Sequence, residues 1–220
     1  MKLIVLTADG FSLARPDTSW NRKNSDFYVP DNIQELYWAP VAYSMVERPG
    51  KCIAQRFAGR YLGTTGFGVL LYVGSIDSPG AFAQANCYDN SSIIPVPLPE
   101  GSTPKEKVSF YVDGNEEFTT PIPTPGFFAD AAEKTSRSIL FRNGDILLVE
   151  LASPQPLDLS FRANEASLSF RAKPEGRSRE ISIIALPDDT PAQQPAVTPG
   201  QPAPTGIPHA PALIDFKVIL

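Results

Sequence analysis

Histidine is almost absent from this 220-residue chain: the only one, His209, lies in a proline-rich stretch near the C-terminus. Without a histidine in the body of the protein, Ser-His-Asp and Cys-His catalysis are excluded, as are nearly all zinc sites. Cysteine is also scarce, and Cys52 and Cys87 are too few for a disulfide framework. We therefore expect two buried free thiols.

Basic clusters and long apolar runs are missing as well. The chain has 19 basic and 24 acidic residues, a net charge of −5. This balance disfavours nucleic-acid and acidic-membrane partners. No run approaches the 18 or so apolar residues that a membrane span needs, and the short apolar start at residues 1–6 does not resemble a signal peptide. We therefore predict a cytoplasmic protein.

The run Leu36–Val46 is uncharged and therefore contains no aspartate or glutamate. Its aromatic and β-branched residues predict a buried strand, with a bulge or an unpaired N–H at Pro40 because proline cannot donate to a strand ladder. Further strands are predicted at 2–7, 27–29, 66–73, 108–112, 117–120, 146–151, 180–186 and 213–220. Asp113-Gly114-Asn115 marks a hairpin turn between two of them.

Helical signals are few, in keeping with 23 prolines. A short helix is predicted over Ile53–Tyr61, where Ile53, Phe57 and Tyr61 recur at intervals of four residues. A longer helix is predicted over 125–139, with Thr124 as its N-cap. Residues 74–92 are rich in turn-forming residues and predict a loop.

The composition changes in the last third of the chain. Leu159–Ala163 recurs as Leu168–Ala172, which favours additional strands or a hairpin over 153–186. Residues 187–212 are a proline-rich linker or loop, and 213–220 form a terminal strand that returns to the body. The predicted organisation is thus a body of 1–152 followed by these three segments.

The order and spacing of several segments resemble the fumarylacetoacetate hydrolase (FAH) family, especially its short bacterial members. The matching segments are Arg15–Ser19, Phe27–Pro30, Arg48–Ile53, Arg56–Tyr61, Gly66–Gly68, Val112–Gly114, Asn143–Leu148 and Leu213–Val218. The resemblance implies a mainly β (α+β) fold: a mixed β-roll with few short helices, here with a C-terminal β-hairpin and a proline-rich insert. It also implies a homodimer.

The same resemblance implies metal-assisted cleavage of a carbon–carbon bond, or decarboxylation, in β-dicarbonyl compounds. In the family, magnesium or manganese is held by a Glu-x-Glu pair and an aspartate. Those positions fall at Ala39, Val41 and Leu70 in this chain, and the family's catalytic lysine falls at Asn86. The segment that should supply a histidine base, Thr7–Phe11, has none. We therefore expect no metal cofactor and no catalytic residue at the family positions.

Other positions of the family pattern have changed too. The arginine-aspartate pair falls at Gly74 and Ser75, and the threonine-glycine-threonine falls at 149–151. The acidic candidates for a rebuilt site are Asp77, Asp89 and Glu150, and Arg15, Asp89 and Glu150 are the candidates for a remnant ligand site.

Three functions are compatible with this pattern. The first is a relative that has lost metal-dependent activity and has a binding, regulatory or structural role. The second is an active hydrolase or lyase with a relocated site. The third is an assembly protein that uses the C-terminal insert. The sequence does not identify a small-molecule ligand.

Overall fold

A computed structural model describes residues 1–23, 25–94, 107–159, 178–186 and 212–219. Apart from Leu159, the repeated segments of 159–172 lie outside the described residues, as does the proline-rich stretch of 187–211. The predicted division of the chain into a body and three C-terminal segments therefore stays a prediction.

The described residues form two sheets and few helices. The strands are β1 (Leu3–Leu6), β2 (Ser12–Arg15), β3 (Trp20–Asn21), β4 (Phe27–Tyr28), β5 (Leu36–Val46), β6 (Leu62–Val73), β7 (Ser92–Ile93), β8 (Lys107–Val112), β9 (Asn115–Pro121), β10 (Ile146–Glu150), β11 (Gln155–Pro156), β12 (Ser178–Leu186) and β13 (Ala212–Ile219). The helices are α1 (Pro79–Ala85) and α2 (Pro125–Ser136), with 3-10 turns at Asp17–Ser19 and Gln55–Arg60. None of these helices is long and apolar enough to cross a membrane.

The larger sheet has the order β2-β1-β10-β5-β6-β7-β3, and β11 also pairs with β5. The smaller sheet has the order β4-β13-β12-β8-β9. Parallel pairs (β1 with β10, β3 with β7) occur beside antiparallel ones, so the sheet is mixed. The strand β13 pairs in parallel with β4 and antiparallel with β12, so it lies inside the smaller sheet.

The predicted strand β5 is confirmed with the bounds Leu36–Val46, and it lies between β10 and β6. Of the two alternatives predicted at Pro40, the bulge is wrong: the register with β6 runs through Pro40 and shifts between Ser44 and Val46. Pro40 faces the gap between β10 and β11, where its carbonyl accepts a bond of 2.9 Å from the Leu151 N–H. Because no strand residue that the structure describes pairs with Pro40 on that side, its lack of a backbone N–H removes no hydrogen bond from the sheet.

The predicted loop over 74–92 is also wrong, because it contains α1 and β7. Helix α1 is only seven residues long and begins with Pro79 at its first turn. The Ser78 hydroxyl accepts a bond of 3.3 Å from the Ala81 N–H and caps it. A Ser-Pro pair signals a turn as readily as a helix start. In addition, a seven-residue helix is too short to leave a clear periodic pattern in the sequence.

The short helix predicted over Ile53–Tyr61 is a 3-10 helix, Gln55–Arg60. Ile53 is buried, but Phe57 is 38% exposed. A 3-10 helix has three residues per turn, so residues four apart no longer share a face. Both cysteines are free thiols as predicted, but they are exposed rather than buried.

The hairpin between β8 and β9 is confirmed. Its two turn residues, Asp113 and Gly114, have φ values of 50° and 78°. Positive φ at both positions is the type I′ geometry, whose twist matches that of paired strands. Helix α2 begins at Pro125 as predicted and ends at Ser136, three residues earlier than expected.

Aromatic side chains fill the core between the two sheets. Phe110 of β8 is fully buried and contacts Trp38 of β5 and Phe67 of β6, each with ring centroids 6.4 Å apart. Phe118 of β9 lies 5.9 Å from the same ring. Phe110 therefore couples both sheets through one side chain.

We predict that Phe110→Ala lowers the free energy of unfolding by about 3–5 kcal/mol, because it removes a buried ring and leaves a cavity between the sheets. Urea denaturation followed by circular dichroism measures the change. Phe11→Ala is the matched control, since Phe11 is 71% exposed and its loss should cost less than about 0.5 kcal/mol. Equal losses for the two variants would contradict the assigned core.

Candidate functional site

The three positions that we matched to the FAH-family metal ligands from the sequence lie on the face of the larger sheet turned away from the aromatic core. Ala39, Val41 and Leu70 have no exposed surface. Ala39 and Leu70 are direct partners in the β5–β6 register, and Val41 pairs with Glu150 of β10. The three side chains belong to one apolar cluster with Leu3, Val5, Tyr43, Tyr72, Ala85, Ile94, Ile146 and Leu148.

Two glycines of β6 allow this layer to pack closely. A Cβ on Gly66 would lie 2.7 Å from the ring of Tyr43, and a Cβ on Gly68 would lie 2.7 Å from the carbonyl oxygen of Ile93. Glycine at both positions therefore leaves space for a ring and a backbone strand to approach β6. Burial raises the pKa of Tyr43 to about 12, so its phenol is neutral at physiological pH.

Beside the apolar cluster, Arg15 of β2 is buried, with 1% of its surface exposed. Its Nε donates to Asn86 Oδ1 at 2.8 Å. Its Nη1 donates to the Leu71 carbonyl oxygen at 3.0 Å and lies 3.2 Å and 3.4 Å from the hydroxyls of Ser92 and Ser91. Asn86 is thus a neutral amide that accepts a bond from arginine.

Tyr72 links this guanidinium group to a buried carboxylate. The guanidinium carbon of Arg15 lies 4.5 Å from the centroid of the Tyr72 ring, a cation–π distance. The Tyr72 hydroxyl donates to Glu150 Oε1, and Glu150 Oε2 accepts a bond of 2.9 Å from the Ala8 N–H. Phe82 of α1 stacks on Tyr72 with ring centroids 5.6 Å apart. We call Arg15, Tyr72, Glu150 and Asn86 the polar cluster.

Burial controls the electrostatics of the polar cluster. It raises the pKa of Glu150, while the Tyr72 hydroxyl, the Ala8 N–H and the charge of Arg15 act in the opposite direction. Burial likewise lowers the pKa of Arg15, and Tyr72 and Glu150 oppose that shift. Arg15 Nη2 has no hydrogen-bond partner among the described residues. Arg15 and Glu150 therefore compensate each other's charge across Tyr72.

The structure brings together three positions singled out from the sequence and leaves others outside. Arg15, Glu150 and Asn86 belong to the polar cluster. Asp89 and Asp77 are exposed, and Asp77 accepts a bond of 3.0 Å from the Ser75 hydroxyl.

Sequence reasoning missed Tyr72 and the backbone of Ala8. Tyr72 could have been found from the two-residue alternation of β6, since Gly68, Leu70 and Tyr72 point to the same face. The contact of Ala8 with Glu150 joins residues 142 positions apart, and no local pattern signals it.

A magnesium or manganese ion does not fit the family position in this chain. Such cations need several oxygen ligands, preferably charged. Ala39, Val41 and Leu70 supply only hydrocarbon, and both carboxylate oxygens of Glu150 already accept hydrogen bonds. Across the described ranges, no group of three or more histidine, cysteine or acidic residues could hold a metal ion.

Solved structures of FAH-family proteins share this fold. A putative FAH-family protein from Yersinia pestis CO92 is 15% identical with a TM-score of 0.56, covering 83% of this chain and 87% of its own. A putative fumarylpyruvate hydrolase from Burkholderia cenocepacia is 13% identical with a TM-score of 0.61, and the match covers 99% of this chain and 88% of that protein. Fumarylpyruvate hydrolase from Pseudomonas aeruginosa, in complex with Mn²⁺ and pyruvate, is 13% identical with a TM-score of 0.59. The match covers 83% of this chain and 84% of that protein.

The class defined by the fold is therefore the FAH-like, mainly β proteins, and the predicted fold class is confirmed. No protein-family model and no curated protein sequence matches the chain. The resemblance is thus carried by the three-dimensional fold, at an overall identity of 13–15% to these three neighbours.

We predict that Glu150→Gln changes the pH dependence of stability. Because burial raises the pKa of Glu150 above its ordinary value of 4.5, the native state binds this proton more tightly than the unfolded state does. The cost of the buried charge is fully present above the raised pKa and disappears as the pH falls towards 4.5. The wild type should therefore gain stability relative to Glu150→Gln across that window.

Urea titrations at several pH values measure this difference. Glu117→Gln serves as the control because Glu117 is exposed, and its difference from the wild type should stay nearly constant. A constant difference for Glu150→Gln as well would contradict the buried charged state.

Proposed function

We propose that this protein is a non-catalytic relative of the FAH enzymes, with a binding, regulatory or structural role in place of metal-dependent hydrolysis or decarboxylation. The observation that supports the proposal is the burial of Ala39, Val41 and Leu70 in one apolar cluster. The family resemblance further suggests a homodimer, and we propose a cytoplasmic location for it.

The complete replacement of the ligand set is consistent with loss of the metal. A carboxylate left without its cation on a buried sheet face would be an uncompensated charge, which costs several kcal/mol. If only one of the three ligands were replaced, the remaining carboxylates would still be buried charges without a cation. Alanine, valine and leucine at all three positions avoid the cost, and the Tyr43 ring packs over Gly66 in the same layer.

The polar groups near this face have structural partners. Asn86 accepts from Arg15 Nε and donates through Nδ2 to the Phe82 carbonyl oxygen at 2.7 Å. This ties the end of α1 to β2. Glu150 fastens the loop after β1 through the Ala8 N–H. These contacts favour a structural use of residues that could otherwise form a relocated catalytic site.

An enzyme with a relocated site is the second candidate, because Arg15 and Glu150 are a buried cation and a buried carboxylate in proximity. Such a pair can in principle bind and polarise a carbonyl compound. Assembly through the C-terminal insert is a third possibility, suggested by its extended proline-rich composition.

Calorimetric titration with Mn²⁺, alone and with pyruvate, tests the proposal. We expect no saturable heat at a single site, because the family positions offer no oxygen ligand. Fumarylpyruvate hydrolase from Pseudomonas aeruginosa is the positive control, since its structure contains Mn²⁺ and pyruvate.

Micromolar, saturable binding at one site would overturn the non-catalytic assignment. Repeating the titration with Glu150→Gln and Asp89→Asn would then locate the site. Loss of binding in either variant would establish the relocated site, and retention in both would place the metal elsewhere on the chain.

A further inference from the structure

The exposed ring of Phe57 carries two positively charged groups. The guanidinium carbon of Arg56 lies 4.7 Å from the ring centroid, and that of Arg60 lies 5.0 Å from the same centroid. All three residues belong to the 3-10 helix Gln55–Arg60, and both arginines are exposed. The tight winding of this helix turns Phe57 outwards and brings the two guanidinium groups to one ring.

Neither arginine forms an ion pair with an acidic side chain among the residues that the structure describes. Across the described residues, ion pairs join Lys2 to Asp145, Lys134 to Asp130 and Arg137 to Glu133, and none of them includes Arg56 or Arg60. The segment of 47–61 has four basic residues and one acidic residue, although the whole chain has a net charge of −5. A local positive site therefore lies on an acidic protein.

Two features favour an anionic ligand here. Like charges that share one ring repel each other, and an anion placed between them converts the repulsion into attraction. Stacking on Phe57 also restricts both planar guanidinium groups, so less conformational entropy is lost when they bind an oxyanion in a bidentate manner.

The charge of the rest of the protein restricts the size of that anion. An extended polyanion would approach the negative remainder of the surface, whereas a compact anion contacts the arginine pair alone. Two positive charges at one ring thus favour a compact oxyanion carrying two negative charges.

We propose that Arg56, Phe57 and Arg60 form a binding site for a phosphate group, presented either as inorganic phosphate or as a phosphate monoester on a larger molecule. The site lies on the 3-10 helix beside α2 and is separate from the polar cluster of Arg15 and Glu150. It does not depend on whether the protein is an enzyme.

Isothermal titration of the full chain with inorganic phosphate, at low chloride concentration, tests the proposal. We expect saturable binding that Arg56→Gln/Arg60→Gln weakens by at least tenfold, on the order of two lost charge-assisted contacts. Lys134→Gln/Arg137→Gln is the matched control, because it removes the same charge nearby from residues that have their own carboxylate partners. The control should bind within about twofold of the wild type, and thermal melting confirms that each variant is folded.

A second arm separates the two sources of phosphate. Tighter binding of a phosphoserine peptide than of phosphate would identify a macromolecular monoester, and the reverse order would identify the free anion. Both results support the site. Equal weakening by the two double variants, or absence of phosphate binding to the wild type, would overturn it.

Discussion

The packing on the face of the larger sheet turned away from the aromatic core depends on the buried guanidinium group of Arg15. It is buried between β2, the end of α1 and β6, where it bonds Asn86 and the Leu71 carbonyl and stacks on Tyr72. A buried cation without compensation is strongly destabilising. Compensation comes from Glu150 at the end of β10, through the Tyr72 hydroxyl. This network of Arg15, Tyr72 and Glu150 attaches the loop after β1 and the end of α1 to the sheet.

The strand β5 separates two layers with different roles. One face carries Trp38 into the aromatic core between the sheets, where Phe110 joins the second sheet. The opposite face carries Ala39 and Val41, where the FAH-family pattern would place two glutamates. Apolar packing and the Arg15–Glu150 pair now occupy the same face.

Much of the strand content follows from the sequence, because period-two patterns and turn residues act locally. Leu36–Val46 and the Asp113-Gly114 hairpin are examples, since both depend on neighbouring residues only. The apolar character of positions 39, 41 and 70 is likewise visible in the sequence, and the structure buries all three side chains in one cluster. The position of Phe57 was not, because a 3-10 helix and an α-helix share short apolar patterns while directing side chains differently.

The partners of Arg15 depend on tertiary structure. Asn86 is 71 residues away, and Glu150, which compensates its charge, lies still further along the chain. Sequence reasoning could nominate Arg15 and Glu150 as candidates, but it could not connect them. The connection requires Tyr72, whose ring and hydroxyl contact both groups.

A double-mutant cycle on Arg15 and Glu150 tests the central claim most directly. Arg15→Met, Glu150→Gln and the double variant are compared with the wild type by urea denaturation. Arg15→Met should cost about 3 kcal/mol, because it leaves the carboxylate buried without its cation. The double variant should cost less than the sum of the single variants by at least about 1 kcal/mol. Additive losses would show that the two charges do not compensate each other and would contradict the account.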